Sequence, residues 1–137
     1  MNTMKKTSLI LVLFFLSPIA VYCQYNLKIE ISPLKNNEGQ VILAFMDENE
    51  NILKQLTAEI EENKCIFVID SLGKGKYAFK YIHDENNNNK LDTKLFILPK
   101  EGYGFSNDAK GKFGPPPFKD MIFEIKMDST IICKPSY

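Results

Sequence analysis

The chain contains no tryptophan and no arginine, and it has a single histidine. Arginine supplies the planar fork that binds phosphates and guanine bases, so its absence argues against a nucleic-acid-binding protein. A single histidine argues against a zinc site, because zinc is usually held by several cysteine or histidine ligands. The 17 lysines are balanced by 17 acidic residues. No run of like charge is long enough to act as a nucleic-acid or membrane arm.

No apolar run reaches the roughly 20 residues that a membrane-spanning helix needs. The run Leu9 to Leu16 follows two lysines and precedes Ser17-Pro18, which is the arrangement of a secretory signal. We therefore predict that residues 1–23 are a signal peptide and residues 24–137 a single exported domain, in the periplasm, at the cell surface or secreted. The mature chain is predicted to have no transmembrane helix. Lipid attachment at Cys23 is the alternative, although bulky Tyr22 stands where lipoprotein signals have a small residue.

Cysteine is also scarce, with two residues, Cys65 and Cys133, in the predicted mature chain. Each lies in an apolar, strand-like run. An oxidising compartment would permit a disulfide between them if their strands were adjacent. The alternative is two small buried hydrophobic side chains without a bridge.

Short alternating segments dominate the remaining sequence. YNLKIEIS (25–32) places apolar and polar residues on opposite faces, and QVILAFM (40–46) is more fully apolar, so the two are predicted to form a hairpin. KCIFVID (64–70) and GKYAFKYIH (75–83) are further strands, and the runs 120–127 and 130–133 are predicted to form a closing hairpin. The segment 52–63 fits a short helix or an irregular strand.

This strand rhythm predicts an all-β fold, an antiparallel two-sheet sandwich, with a small barrel as the alternative. The excursion from Asp84 to Lys119 interrupts the rhythm but holds too many apolar residues for a solvated linker, so it is predicted to be an ordered loop region. Tyr103 and Phe105 in this excursion are candidate ligand-binding residues. Their alternative role is to close the open end of the core.

The start of the excursion has the pattern of a calcium-binding loop. Asp84, Asn86, Asn88 and Asp92 stand at positions 1, 3, 5 and 9, and Lys90 can offer its backbone carbonyl at position 7. Calcium prefers this set of oxygen ligands. Asn at position 6 and Leu at position 12 replace the usual Gly and bidentate acid, so a weak calcium site is expected, with a dissociation constant of about 10⁻⁴ to 10⁻³ M. The alternative is an Asn-rich turn that satisfies its own backbone.

The stretch HDENNNNKLDTKLFILPKEGYGFSND (83–108) resembles the signature of a family of exported bacterial proteins, domain of unknown function 2141. The family pattern is H-D-E-N-G-N-G-K-L-D-T-N, an apolar piece and P-K-E-G-Y-G-F-S-N. Here Asn87 and Asn89 replace two glycines and Lys94 replaces an asparagine. A later P-x-F-x-D-A piece of the pattern is matched by Pro117, Phe118 and Asp120, with Met121 in place of the alanine. The family has no assigned activity, and the resemblance implies a transthyretin-like or immunoglobulin-like sandwich.

We predict a non-enzymatic, exported binding or interaction module for an unknown protein or glycan ligand, with a calcium ion as the candidate cofactor. Loops that are held on a rigid scaffold usually carry such binding. One alternative is a hydrolytic enzyme that uses the Asp84 and Asp92 carboxylates with His83. The other is a purely structural envelope component.

Overall fold

A computed structural model describes residues 22–95 and 98–137. The predicted signal peptide lies outside the described residues except for Tyr22 and Cys23. Within the described ranges, no helix combines the length and apolarity that crossing a bilayer requires. The strands are β1 (Gln24–Ile31), β2 (Gln40–Asp47), β3 (Ile52–Ala58), β4 (Cys65–Gly73), β5 (Gly75–Asp84), β6 (Thr93–Lys94), β7 (Leu98–Pro99), β8 (Gly102–Phe105), β9 (Phe123–Ile125) and β10 (Ser129–Cys133), and the helical elements are α1 (Phe118–Met121) and a 3-10 turn at Ser106–Asp108.

Two main sheets form a sandwich, which confirms the predicted fold class. One sheet has the strand order β10-β1-β4, and the other has the order β3-β2-β5-β8 with β9 also paired to β5. Pairing is antiparallel except between β1 and β10, which run parallel. The strands β6 and β7 form a separate two-stranded ribbon.

The core lies between the inner faces of the two sheets, where alternate residues of each strand point inward. Fully burying an aliphatic or aromatic side chain of this kind contributes about 1.5–3 kcal/mol. The sandwich therefore rests mainly on these apolar layers. The main contributors are Leu27, Ile29, Ile31, Phe67 and Ile69 from one sheet and Val41, Leu43, Phe45, Phe79 and Tyr81 from the other.

Both predicted hairpins are wrong. The strand β1 lies between β4 and β10, whereas β2 lies between β3 and β5 in the other sheet. The connection between β1 and β2 passes from one sheet to the other; in it Leu34 is buried, and its N–H donates to the Asn63 carbonyl at 2.7 Å. The last two strands also separate, with β9 on β5 and β10 on β1. Local turn residues predict that the chain reverses, but they do not determine which sheet it joins.

The ambiguous segment 52–63 forms the edge strand β3 as far as Ala58. A register shift opposite Met46 makes the strand irregular. Leu56 and Ala58 contact the core, and Ile60 beyond the strand is buried. Of the apolar residues whose spacing also fitted a helix, Leu56 lies on the inward face of the strand and Ile60 in the buried loop, whereas Ile52 and Leu53 are exposed.

The candidate disulfide between Cys65 and Cys133 is not formed, and both thiols are free. Cys65 is paired with Ile31 from one side of β1 and Cys133 with the same residue from the other. Two strand spacings separate their Cα atoms by about 10 Å, beyond the roughly 7 Å that a disulfide can span. Burial raises the pKa of the Cys65 thiol to about 12 and that of Cys133 to about 11.

The excursion after β5 returns to the outer face of the five-stranded sheet. Its strand β8 pairs with β5, and Met121 at the end of α1 is buried against Met46 and Ala78. The described part of the excursion is thus held to the sheet by a second, smaller apolar cluster. Among residues 22–95 and 98–137, the middle of the outer face is left uncovered.

Candidate functional site

The candidate cation loop, residues 84–92, begins where β5 ends at Asp84. This carboxylate is fully buried. Its Oδ1 accepts the N–H of Asn88 at 3.0 Å, and its Oδ2 accepts the N–H of Asn89 at 2.8 Å. The amide of Gln40, the residue opposite on β2, donates to Oδ2 at 3.1 Å. A carboxylate has about four acceptor positions, so these three bonds shape the loop and leave one position for a cation.

The side chains of Asn86 and Asn88 both contact that of Asp92. The Nδ2 of Asn86 donates to Asp92 Oδ2 at 2.7 Å, and the Nδ2 of Asn88 donates to Asp92 Oδ1 at 3.0 Å. The Oδ1 atoms of the two asparagines accept the N–H groups of Asn88 and Lys90 at 3.1 and 2.9 Å. The structure therefore brings three of the predicted side chains into contact, whereas the Asp84 carboxylate contacts the loop through backbone N–H groups. It also contains the Asx bonds expected for the alternative, a turn that satisfies its own backbone.

The backbone of the loop is left-handed at two positions. Asn87 has φ of 57° and Asn89 has φ of 62°. These are the two positions at which the related signature has glycine. Asparagine enters this conformation more readily than most residues because its short polar side chain can bond locally. The tight turns of the loop are therefore kept without glycine.

Glu101 joins the two ends of the loop, a role that the sequence did not predict. Its Oε1 accepts the N–H of Glu85 and its Oε2 accepts the N–H of Asp92, each at 2.9 Å. The residue is 5% exposed. The available sequence signal was its place directly before β8, whose first residue, Gly102, lies opposite His83. Because both carboxylate oxygens bind backbone N–H groups, Glu101 is a structural strap of the loop.

The carboxylate of Glu85 points away from the loop centre. Its Oε2 accepts the side-chain amide of Asn36 at 3.2 Å, and its Oε1 lies 3.8 Å from Lys35 Nζ. Within residues 22–95 and 98–137, no three His, Cys, Asp or Glu side chains form a metal-binding group. A cation in the loop would thus depend on amide and carbonyl oxygens beside Asp84 and Asp92. Such an all-oxygen set suits calcium and not zinc.

His83 faces the opposite side of β5 and is fully buried. Its Nε2 lies 2.7 Å from the Glu38 carbonyl, which can only accept, so this nitrogen carries the proton. Its Nδ1 then accepts from the Tyr137 hydroxyl at 2.7 Å, and that hydroxyl accepts the N–H of Lys35 at 2.9 Å. Burial raises the pKa of Tyr137. Both ring nitrogens of His83 are therefore engaged in structural bonds.

Ser106 is likewise engaged. Its hydroxyl is fully buried, donates to the Met121 carbonyl at 2.6 Å and accepts the N–H of Phe79 at 3.1 Å. These bonds join the excursion to β5. The geometry gives no support to the hydrolase alternative, because Asp84 and His83 lie on opposite faces of β5 and each is held by structural hydrogen bonds.

A groove of about 520 Å³ crosses the outer face of the five-stranded sheet. Its floor consists of two cross-strand rows. In one row Ile42, Ile82 and Tyr103 are successive partners, and in the other Gln55, Ala44, Lys80 and Phe105 are. The structure thus places both predicted binding residues, Tyr103 and Phe105, at one edge of the groove floor and outside the main sandwich core, and Phe105 also packs against the smaller apolar cluster.

The two ends of the groove are formed by different parts of the excursion. At one end Asn89 and Leu91 of the cation loop line it, and at the other end Pro115 and Met121 do. Asn89 is also one of the residues whose N–H binds the Asp84 carboxylate. The cation loop and the groove therefore share an end wall.

A scan against protein families matches residues 29–132 to the family described as "uncharacterized protein conserved in bacteria (DUF2141)". Searches of curated proteins and of solved structures gave no match. The family match spans more than half of the chain and confirms the resemblance seen in the loop signature. The chain belongs to this family of uncharacterized bacterial proteins, DUF2141.

Proposed function

We propose that this protein is an exported, non-enzymatic binding module whose ligand surface is the groove and whose end wall is stabilised by calcium. The observation that carries the proposal is the sharing of Asn89 and Leu91 between the groove and the cation loop. A groove of this volume lies in the range of about 300–1,000 Å³ typical of small-ligand sites. Export rests on the charge and apolar pattern of residues 1–23.

The calcium part of the proposal rests on the donors of the loop. Asp84 and Asp92 would supply two negative charges, and Asn86, Asn88 and the Lys90 carbonyl would supply neutral oxygens. The bound cation would neutralise the two carboxylates and hold the loop closed. The amide donors now on Asp92 would have to yield to the cation, which supports a weak affinity of about 10⁻⁴ to 10⁻³ M.

The proposal is tested by titrating the mature chain with calcium and recording amide NMR spectra at each step. We expect the resonances of Asn89, Leu91 and Tyr103 to shift together, with one dissociation constant in the range given above. An Asp92→Asn variant should lose this response. Asp47→Asn is the matched control, because Asp47 also closes an Asx turn but belongs to a different loop.

Two results would contradict the proposal. Spectra that stay unchanged up to 10 times the weakest expected dissociation constant, about 10⁻² M calcium, would remove the calcium site. Shifts that are confined to the loop and never reach Tyr103 would remove the coupling between cation and groove.

A further inference from the structure

We propose that the ligand of the groove is an amphipathic anion, an acyl or aryl chain with one carboxylate or similar head group, and that the Lys80 ammonium binds that head. This inference rests on the proposed function, in which the groove is the ligand surface. It goes further by assigning the chemical class of the ligand and the residue that selects it.

The floor of the groove is more apolar than the outer face of a sandwich sheet requires. In an antiparallel sheet with one solvated face, the outward residues are usually polar. The central strand β1 of the three-stranded sheet follows this rule, with Lys28 and Glu30 pointing outward, while its edge strands β4 and β10 expose Ile66, Val68 and Ile132 on the same face. The central strands β2 and β5 do not, because Ile42, Ala44 and Ile82 point outward there. The apolar floor therefore fits a ligand with an apolar body.

The groove is deepest at Ala44, which has the smallest side chain of its floor. Ala44 lies directly between Gln55 and Lys80, and Lys80 in turn lies beside Phe105. Side chains that face each other across strands have Cβ atoms about 4.5–5.5 Å apart. The small methyl group of Ala44 thus leaves room at the centre of the floor, within reach of the lysine side chain.

Among the described residues that line the groove, one is charged, and that residue is Lys80. The ion pairs found in the described part of the chain join Lys35 to Glu85, Lys64 to Glu62 and Lys126 to Glu124, so Lys80 is in none of them. Its aliphatic stem can lie along the apolar floor while its ammonium group remains free. An anionic head group supplies the complementary charge.

The span of β5 between the two elements that bound the groove fits an extended chain. The strand β5 passes from Ala78, which Met121 covers, to Asp84 below the cation loop. Six residues of strand rise about 20 Å at about 3.4 Å per residue. Lys80 lies nearer the α1 end of this span, so the head group would bind there. The apolar chain would then run past Ile82 towards Leu91.

The inference is tested by calorimetric titration of the mature, calcium-treated chain with three ten-carbon probes: decanoate, decanol and decyltrimethylammonium. Decanoate should bind about tenfold or more tightly than decanol, because a charge-assisted contact adds to the same apolar burial. The cationic probe should bind most weakly. Lys80→Met should reduce the affinity for decanoate to that for decanol and leave decanol unchanged.

Lys28→Met is the matched control, since Lys28 points outward from the central strand of the other sheet. It should leave all three affinities unchanged. Ala44→Trp should abolish binding of decanoate and decanol by filling the floor of the groove. Ala44→Leu is a smaller change that should weaken the binding of both probes, and it replaces the tryptophan variant if that variant does not fold.

The outcomes separate this inference from the proposed function. Equal binding of decanoate and decanol, sensitive to Ala44→Leu, would overturn the anionic class while the groove remained a binding surface. Equal loss of decanoate affinity in Lys28→Met and Lys80→Met would overturn the role of Lys80. Absence of binding by every probe would overturn the amphipathic class, whereas the calcium-induced shift of Tyr103 tests the proposed function without any probe.

Discussion

Removal of one charge from Glu101 gives the sharpest test of how the cation loop is held. The Glu101→Gln substitution keeps the length and shape of the side chain. One amide oxygen can still accept an N–H from Glu85 or Asp92. The new NH₂ group faces the other N–H, where two donors meet and one hydrogen bond is lost.

The expected size of the effect follows from these two contacts. A hydrogen bond to a charged group contributes about 1.5–3 kcal/mol, and a neutral one about 0.5–1.5 kcal/mol. Losing one charged bond and weakening the other costs about 2–4 kcal/mol. The variant should therefore be less stable by about 2–4 kcal/mol.

Urea unfolding followed by far-UV circular dichroism measures this difference, because the chain has no tryptophan for fluorescence. We expect a lower midpoint with an unchanged slope. Glu124→Gln is the control: its 42%-exposed side chain pairs with Lys126 at 2.9 Å, and because exposed ion pairs contribute little, its loss should leave the midpoint almost unchanged. If the free energy of unfolding of Glu101→Gln lies within about 0.5 kcal/mol of the wild-type value, Glu101 does not act as a strap of the loop.

Two further predictions concern the core. In Gly104→Ala the new methyl would lie 2.2 Å from the Tyr81 hydroxyl oxygen, so urea unfolding should show that the fold loses about 1–3 kcal/mol or more of stability. The control is Gly73→Ala, whose new methyl would lie 4.0 Å from its nearest neighbour and should change the stability little. Equal effects of the two substitutions would contradict the close contact at Gly104. Because the pKa values of Cys65 and Cys133 rise to about 12 and 11, both thiols should resist a thiol reagent at pH 8 until the chain unfolds. Rapid labelling of either thiol in the native protein would contradict this prediction. The pKa values of both thiols are higher in the folded than in the unfolded state. The two thiols therefore stabilise the fold below about pH 8.5, and this contribution falls as pH rises towards 11–12.

The sequence predicted the layers of the fold well because each strand carries its own pattern. The alternation of Leu27, Ile29 and Ile31 with polar residues determines which face of β1 is buried, whatever its neighbours are. It does not determine the neighbours, and both hairpin predictions failed for that reason. The parallel pairing of β1 with β10 depends on contacts about 100 residues apart, as when Asn26 N–H donates to Asp128 at 2.8 Å.

The candidate site was also partly predictable. The spacing of Asn86, Asn88 and Asp92 brings their side chains into contact because the loop is short and local. Glu101 escaped prediction because its partners are distant in sequence and are backbone N–H groups, which leave no pattern.

The groove left one signal in the sequence. The strand QVILAFM is apolar on both faces, as expected for a strand covered on both sides. In the structure, α1 covers the Met46 end of its outer face, and Ile42 and Ala44 remain in the groove. An outward apolar pair on a central strand is thus a sequence sign of a missing cover.

The most direct test of the account is a crystal structure of the mature chain grown with calcium at millimolar concentration. We predict one cation with oxygen ligands at about 2.3–2.6 Å from Asp84, Asn86, Asn88 and Asp92, with Asn89 and Leu91 still lining the groove. Clear density for the loop without a cation, and with the asparagine amides still bonded to Asp92, would contradict it.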